Sequence, residues 1–187
     1  LAFTVLLVGS MSAAERSSAE DLSVSQVVPD EISRPLRGVV ELFTSQGCSA
    51  CPPADALLKQ FADTPDTVAL SFPVDYWDYL GWKDTLALHG HSDRQRAYAE
   101  ARGDREVYTP QVVINGVAHA LGSDKAAIEK AIAQTRRNPT ALSLPVTMSV
   151  ADGKVTVKVP DAQGERHSGE VWLCPVTSKV VVQIGRG

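Results

Sequence analysis

The chain has 187 residues, enough for one domain and a small annex, and its composition is that of a globular protein, 44% apolar and 21% charged. A net charge of −4, spread without long runs, leaves no electrostatic footprint for nucleic acid. Three cysteines without a second pair or a Cys/His framework give a four-ligand zinc site little support.

Leu1 to Val8 is an apolar run, and small residues follow to Ala14. This pattern reads as the apolar part and cleavage site of a secretory signal peptide, entered partway because its basic flank is missing. The other reading is a buried element at the start of the domain. The run is too short to span a bilayer. The expectation is therefore a partial signal peptide over 1–14 and an exported protein, periplasmic or secreted, with no stable membrane insertion after signal removal. Such a compartment lets a disulfide persist. Residues 15–36 are polar and aperiodic, a linker.

Residues 37–137 form the next unit. Val39 to Phe43 is a short apolar run bounded by Gly38 and Thr44-Ser45, a buried strand. Ala54, Leu57, Leu58 and Phe61 recur at helical spacing. Thr67 to Val74 is a second strand, and strand–helix–strand of this length implies parallel pairing. An aromatic loop, Asp75 to Trp82, follows. Ser92 and Gln95 make a capping-box pattern for a helix over Arg94 to Arg102, ended by Gly103. Gln111 to Ile114 is a third strand, and Asn115-Gly116 turns it into an antiparallel partner at Val117 to Leu121. Ser123 is placed to cap a last helix with a stripe of Ala127, Ile128, Ala131 and Ile132.

Residues 138–187 change texture. Val146, Met148 and Val150 alternate with polar residues, Asp152-Gly153 turns the chain, and Val155, Val157 and Val159 alternate back. Val171 to Cys174 and Lys179 to Ile184 are expected to add two more strands. The result is a β annex that reads as truncated.

Cys48 and Cys51 stand between the first strand and the first helix, in QGCSACPP. Strand, C-x-x-C, helix, and a later Thr109-Pro110 before a hairpin resemble the thioredoxin superfamily. The stretch from Thr109 to Gly116, followed by Gly122-Ser123-Asp124, is similar to glutaredoxins. The runs ELFTSQGCSACPPAD, VDYWDYLGWKD, RQRAY and VYTPQ, at residues 41–55, 74–84, 94–98 and 107–111, resemble a bacterial family of secreted thioredoxin-like proteins of unknown function. The resemblance implies an α/β, thioredoxin-like fold, a mixed sheet flanked by helices, ahead of the annex.

It also implies a redox role for the two cysteines. A thiolate is the nucleophile, and a helix N-terminus favours it through unsatisfied N–H groups and the positive end of the dipole. Cys48 is then the attacker at the cap, and Cys51, one turn in, resolves the mixed disulfide. Half of a metal site and a structural staple are the other readings; so small a loop gains little entropy from a bridge, which counts against the staple. Pro52 and Pro53 disturb the comparison. Either Cys48 is the cap and the first turn lacks two donors, or the regular helix starts near Pro52 and pulls less on Cys48. The sequence does not rank the reduction potential.

The resemblance implies further that Pro110 is cis beside the disulfide, leaving backbone groups near Thr109 open to a substrate peptide. It places a buried acid near Glu41 to handle the resolving cysteine's proton; a solvent-facing Glu41 is the equal alternative. It sets Ser123 and Asp124 where glutaredoxins hold glutathione, although Ser123 serves equally as a plain N-cap. From the residues themselves, Trp77, Tyr79 and Trp82 are candidates for a substrate-binding wall, against a satellite core under a long loop. His89-Gly90-His91 reads as a solvated loop, and Cys174 as a buried small hydrophobe beside Trp172.

The leading expectation is a thiol–disulfide oxidoreductase acting on protein or small-molecule thiols and disulfides. Its redox-active disulfide is Cys48–Cys51, and it needs no cofactor or metal. This reading requires an exposed Cys48 and a shielded Cys51. The rivals are a binding module with a passive, buried disulfide and a Cu(I)-handling protein, which would need another soft ligand from Met11, Met148 or Cys174.

Overall fold

The computed structural model describes residues 36–138, 141–142, 144, 146–160, 171 and 173–184. The expected signal segment and almost all of the linker lie outside the described residues, as does Trp172. The described chain divides into two compact units, one holding 36–142 and 181–184 and the other 144–180.

In the first unit the elements run β1 (Gly38–Thr44), α1 (Pro52–Ala62), β2 (Thr67–Pro73), α2 (His89–Arg102), β3 (Gln111–Ile114), β4 (Ala118–Leu121) and α3 (Lys125–Thr135). They make a mixed α/β unit with a four-stranded sheet in the order β2-β1-β3-β4. β1 pairs parallel with β2, Gly38 opposite Thr67, and antiparallel with β3, Leu42 opposite Val112. β3 and β4 close an antiparallel hairpin, Ile114 opposite Ala118.

β1 is central and buried on both faces, which is why its sequence is a nearly continuous apolar run. Side chains alternate between the faces. Val40 and Leu42 join Val112 and Ile114, and α1 and α3 cover them with Leu57, Phe61, Ile128 and Ile132. On the other face Phe43, Val74 and Val113 form a second cluster, packed by Phe72 of β2, Tyr98 of α2 and Tyr76 and Trp77 of the loop between them.

Several boundaries differ from the sequence reading. α2 begins at His89, not Arg94, so Ser92 and Gln95 are not a capping box; both are fully buried and hydrogen-bonded to other elements. His89 and His91, expected in a solvated loop, are the helix start. His89 Nδ1 pairs with Asp75 at 2.8 Å, and His91 Nδ1 with the Pro73 carbonyl at 2.7 Å. Asp124, not Ser123, caps α3, accepting from the Ala127 N–H at 2.9 Å. Asn115 does more than turn the chain. At φ 50° it opens the β3–β4 connection, while its side chain accepts from Val39 N–H at 2.7 Å and donates to Thr135 Oγ1 at 2.7 Å.

The second unit carries the hairpin of β5 (Thr147–Ala151) and β6 (Lys154–Lys158), turned at Asp152-Gly153 as expected, with both residues at positive φ. The described residues of 171–184 form no strand, against the expectation of two. Among the described residues, no helix is long and apolar enough to cross a membrane.

Candidate functional site

β1 delivers the chain at Thr44 into two consecutive turns. Cys48 N–H donates to the Ser45 carbonyl and Cys51 N–H to the Cys48 carbonyl, each at 3.1 Å. The turns bring the cysteine Cα atoms to 5.4 Å, and the two sulfurs form a disulfide. α1 starts only at Pro52, with Cys51 as its N-cap in helical conformation. This corrects the placement of Cys48 at the cap. Two prolines suit the first helical positions, where a missing N–H leaves no bond unmade, so the helix starts there and Cys48 stays in the turn before it. Cys48 is 5% exposed and Cys51 fully buried. The leading reading required an open Cys48; the surface that remains is on Cys48, but it is small.

The aromatic loop holds this turn from the side. A 3₁₀ turn at Asp78–Leu80 follows Trp77. A Cβ placed on Gly47 would lie 3.2 Å from the Trp77 Cβ, so the backbone next to Cys48 runs against Trp77. Trp77 Nε1 donates to Thr109 Oγ1 at 2.7 Å and Trp82 Nε1 to Gln46 Oε1 at 2.9 Å. Trp77 is rooted in the second cluster, as the satellite-core alternative expected, and spans from Gly47 to Thr109. Tyr79 is 79% exposed, off the apolar cluster that holds Trp77. Behind the loop, Asp84 is 2% exposed and accepts from the backbone N–H groups of Gln46 at 2.9 Å and Leu86 at 2.8 Å. Sequence reading missed it, because the partner that ties it to the cysteine turn, Gln46, lies 38 residues away in the chain.

Thr109 and Pro110 come to the same place from β3. Their peptide bond is cis. Pro110 is buried, and its carbonyl accepts from Gly122 N–H at 2.9 Å. A Cβ on Gly122 would meet Pro110 Cβ, Ala54 Cβ and Leu42 Cδ1, all at 2.9 Å, so Pro110 and the first turn of α1 close on this glycine. Ser123 and Asp124 follow it, both exposed, with the Asp124 carboxylate engaged as the α3 cap. Gln95, also missed, ties the loop to this segment. It accepts from Tyr76 Oη at 3.1 Å and donates to the Tyr108 carbonyl and Gln111 Oε1, each at 2.8 Å.

Glu41 is 2% exposed, which removes the solvent-facing alternative. It shares the sheet face of Phe43, opposite the face on which α1 packs. There Arg94 Nη2 donates to its carboxylate at 2.6 Å and Nε at 3.0 Å. On the α1 face, Asp55 is a carboxylate residue bonded through its backbone to Cys51. It lies one helical turn after Cys51, on the same side of α1, and its N–H donates to the Cys51 carbonyl at 3.1 Å. Thr44 Oγ1 donates to its carboxylate at 2.8 Å. Asp55 keeps an open edge, yet the protein crowded around it raises its pKa; the Asp84 charge adds to the rise and the Thr44 bond opposes it. Among the described carboxylates with a resolved shift, the other two, Asp75 and Asp104, are held low, chiefly by hydrogen bonds from Ser92 and Arg102 respectively.

Cys174 is exposed, which overturns its expected burial. Among the described residues, no three His, Cys, Asp or Glu side chains come together as metal ligands.

The fold and site define an α/β protein with a helix-capping C-x-x-C disulfide, an aromatic loop against the backbone next to Cys48, and a cis Thr-Pro segment that closes with the first turn of α1 on Gly122. The chain belongs to the family described as protein of unknown function (DUF1223), whose model matches residues 39–187. It is similar to a crystal structure of protein AGR_C_4864 from Agrobacterium tumefaciens, with 42% identity and a TM-score of 0.64. The likeness covers 70% of this chain and 59% of that one, so this chain spans less than two thirds of that protein's length. No curated protein matches the sequence.

Proposed function

We propose that this chain is an exported thiol–disulfide oxidoreductase of the thioredoxin superfamily, exchanging Cys48–Cys51 with thiols and disulfides of proteins or small molecules. The observation that carries this reading is the disulfide itself: it spans a single turn at the start of α1, its residual surface is on Cys48, and Pro110 flanks the same helical turn. Cys48 attacks and Cys51 resolves. Accessibility supports that order, in place of the helix-end argument. Asp55 takes the Cys51 proton, because it sits on the cysteine side of the sheet and its raised pKa suits a base working nearer neutral pH. Glu41, paired with Arg94 on the far face, serves as a brace. Trp77 and Trp82 shape the rim, and the backbone at Thr109 is where an extended substrate would align.

One observation favours the second reading, a binding module with a passive disulfide: neither cysteine is more than 5% exposed. Trapping separates the two. With Cys174 replaced, Cys51→Ala should accumulate mixed disulfides through Cys48 that vanish on reduction, and Cys48→Ala should give few. A folded, exported Cys51→Ala variant without Cys48-dependent adducts would favour the passive disulfide.

A further inference from the structure

The direction of electron flow in a C-x-x-C pair follows from how well the protein holds the thiolate of the attacking cysteine. A stabilised thiolate favours the reduced form and makes the disulfide an oxidant; an unsupported one favours the disulfide and makes the dithiol a donor. Around Cys48 the usual supports are missing. The first four backbone positions of α1 offer no open donor: Pro52 and Pro53 have no N–H, and those of Ala54 and Asp55 both bond the Cys51 carbonyl, at 2.9 and 3.1 Å. Cys48 lies a full turn ahead of the helix, and the dipole's pull falls off within about one turn. Ser49 and Ala50, between the cysteines, are exposed and uncharged, so their amides act on the sulfur in competition with water.

The charges placed here are also of the wrong sign for a thiolate. Asp55 occupies the first turn of α1. Asp84, 2% exposed, grips the amide of Gln46 two residues before Cys48. Two carboxylate residues are thus tied to the backbone on either side of Cys48, at Gln46 and Cys51, where a stabilised site has a helix end.

We propose that the Cys48–Cys51 dithiol is an electron donor, which reduces disulfides of proteins or small molecules and is recharged by an external dithiol. The inference rests on the exchange chemistry proposed above. Cys48, as thiolate, attacks one sulfur of the substrate disulfide. A Cys48–substrate bond forms, the substrate's own S–S bond breaks, and the departing thiolate takes up a proton. Cys51 then gives its proton to Asp55 and attacks the Cys48 sulfur. The Cys48–Cys51 bond forms, and the second substrate thiol leaves with a proton. Two electrons have passed from the dithiol to the substrate disulfide. An external dithiol, itself oxidised to a disulfide, returns them.

The test equilibrates the Cys174→Ser protein with glutathione and, separately, with dithiothreitol, traps thiols by alkylation, and follows the Cys48 thiolate by ultraviolet absorbance against pH. The proposal expects the pair to stay disulfide in glutathione buffers and to open in dithiothreitol, with Cys48 titrating at or above the ordinary cysteine value of about 8.5. Asp55→Asn removes a carboxylate and Pro53→Ala restores a donor, so each should shift the balance toward dithiol roughly two- to fivefold. Two variants on different principles guard against one failing to fold, which circular dichroism would reveal. A Cys48 thiolate already formed well below pH 7, with dithiol persisting in glutathione, would overturn electron donation and leave the exchange chemistry standing. A folded protein that exchanges with neither thiol would overturn the exchange reading itself, and this inference with it.

Discussion

Replacing Arg94 with Met tests how the sheet tolerates a charge in its central strand. Glu41 on β1 is 2% exposed, with Leu70 and Val113 as its strand neighbours. Its carboxylate is held by Arg94 at 2.6 Å, and the guanidinium also lies over the rings of Tyr98, at 4.9 Å, and Phe72, at 5.4 Å. Removing one partner of a fully buried pair costs about 3–5 kcal/mol. The Arg94 side chain is 36% exposed, so water already screens the pair and the lower part of that range applies. Losing the two ring contacts adds about 0.5–1 kcal/mol each. Met keeps most of the volume, so cavity formation contributes little. We expect Arg94→Met to cost about 4–5 kcal/mol, which at a urea slope of about 2 kcal/mol/M lowers the unfolding midpoint by about 2–2.5 M. Glu41→Gln should cost less, because Arg94 can turn to water. The double variant should be more stable than the sum of the two losses implies, with a coupling of about 1–3 kcal/mol. The reasoning fails if Arg94→Met leaves the midpoint within error of wild type, or if the two losses simply add.

Asp55 folds with a raised pKa, so its contribution to stability is complete below the unfolded carboxylate value of about 3.9 and is lost as pH rises through the folded value. Asp55→Asn should therefore gain on wild type in urea melts between pH 3.5 and 7; parallel curves would remove Asp55 as the perturbed acid. Gly122→Ala puts a methyl 2.9 Å from Ala54 and Pro110, neither of which has a flexible tip to move. It should cost about 1–3 kcal/mol and slow disulfide exchange, and wild-type stability would show that the contact is not tight. Trp77→Phe deletes the hydrogen bond to Thr109 and should cost about 0.5–1.5 kcal/mol by urea titration, with altered alkylation of Cys48. If the variant matches wild type in both, Trp77 is not a brace between the two halves of the site.

The order of strands and helices in the first unit was legible because its apolar runs are short and bounded by turn residues. β1 reads as buried from VVELF alone, and α1 from Ala54, Leu57 and Phe61. The start of α2 was hidden, because HGHSD carries no apolar stripe. Its first turn is anchored by tertiary bonds from His89 and Ser92 to Asp75, which no local pattern encodes. Gln95 looked like half of a capping box because a helix start and a buried polar network use the same residue types. The cysteines were plain from their spacing, but which of them caps α1 depended on Pro52 and Pro53, and two starts were compatible with the sequence. Asp55 and Asp84 became candidates only once the start at Pro52 and the reach of the 84 loop back to Gln46 were known. Beyond β6, the short apolar runs at 171–174 and 179–184 suggested strands, but a two-stranded ribbon gains further strands only through long-range pairing, and a short run does not specify it.

The most direct test of thiol–disulfide exchange at Cys48–Cys51 counts thiols released from an aromatic disulfide by the reduced Cys174→Ser protein in stopped flow. Attack by Cys48 and release by Cys51 should free both aryl thiols from each disulfide consumed. The Cys51→Ala variant should free one and retain the other as a mixed disulfide on Cys48, and Cys48→Ala should react far more slowly. If both single-cysteine variants react at the same slow rate as each other and as the intact dithiol, the pair has no attacking and resolving members, and its disulfide is a passive part of the fold.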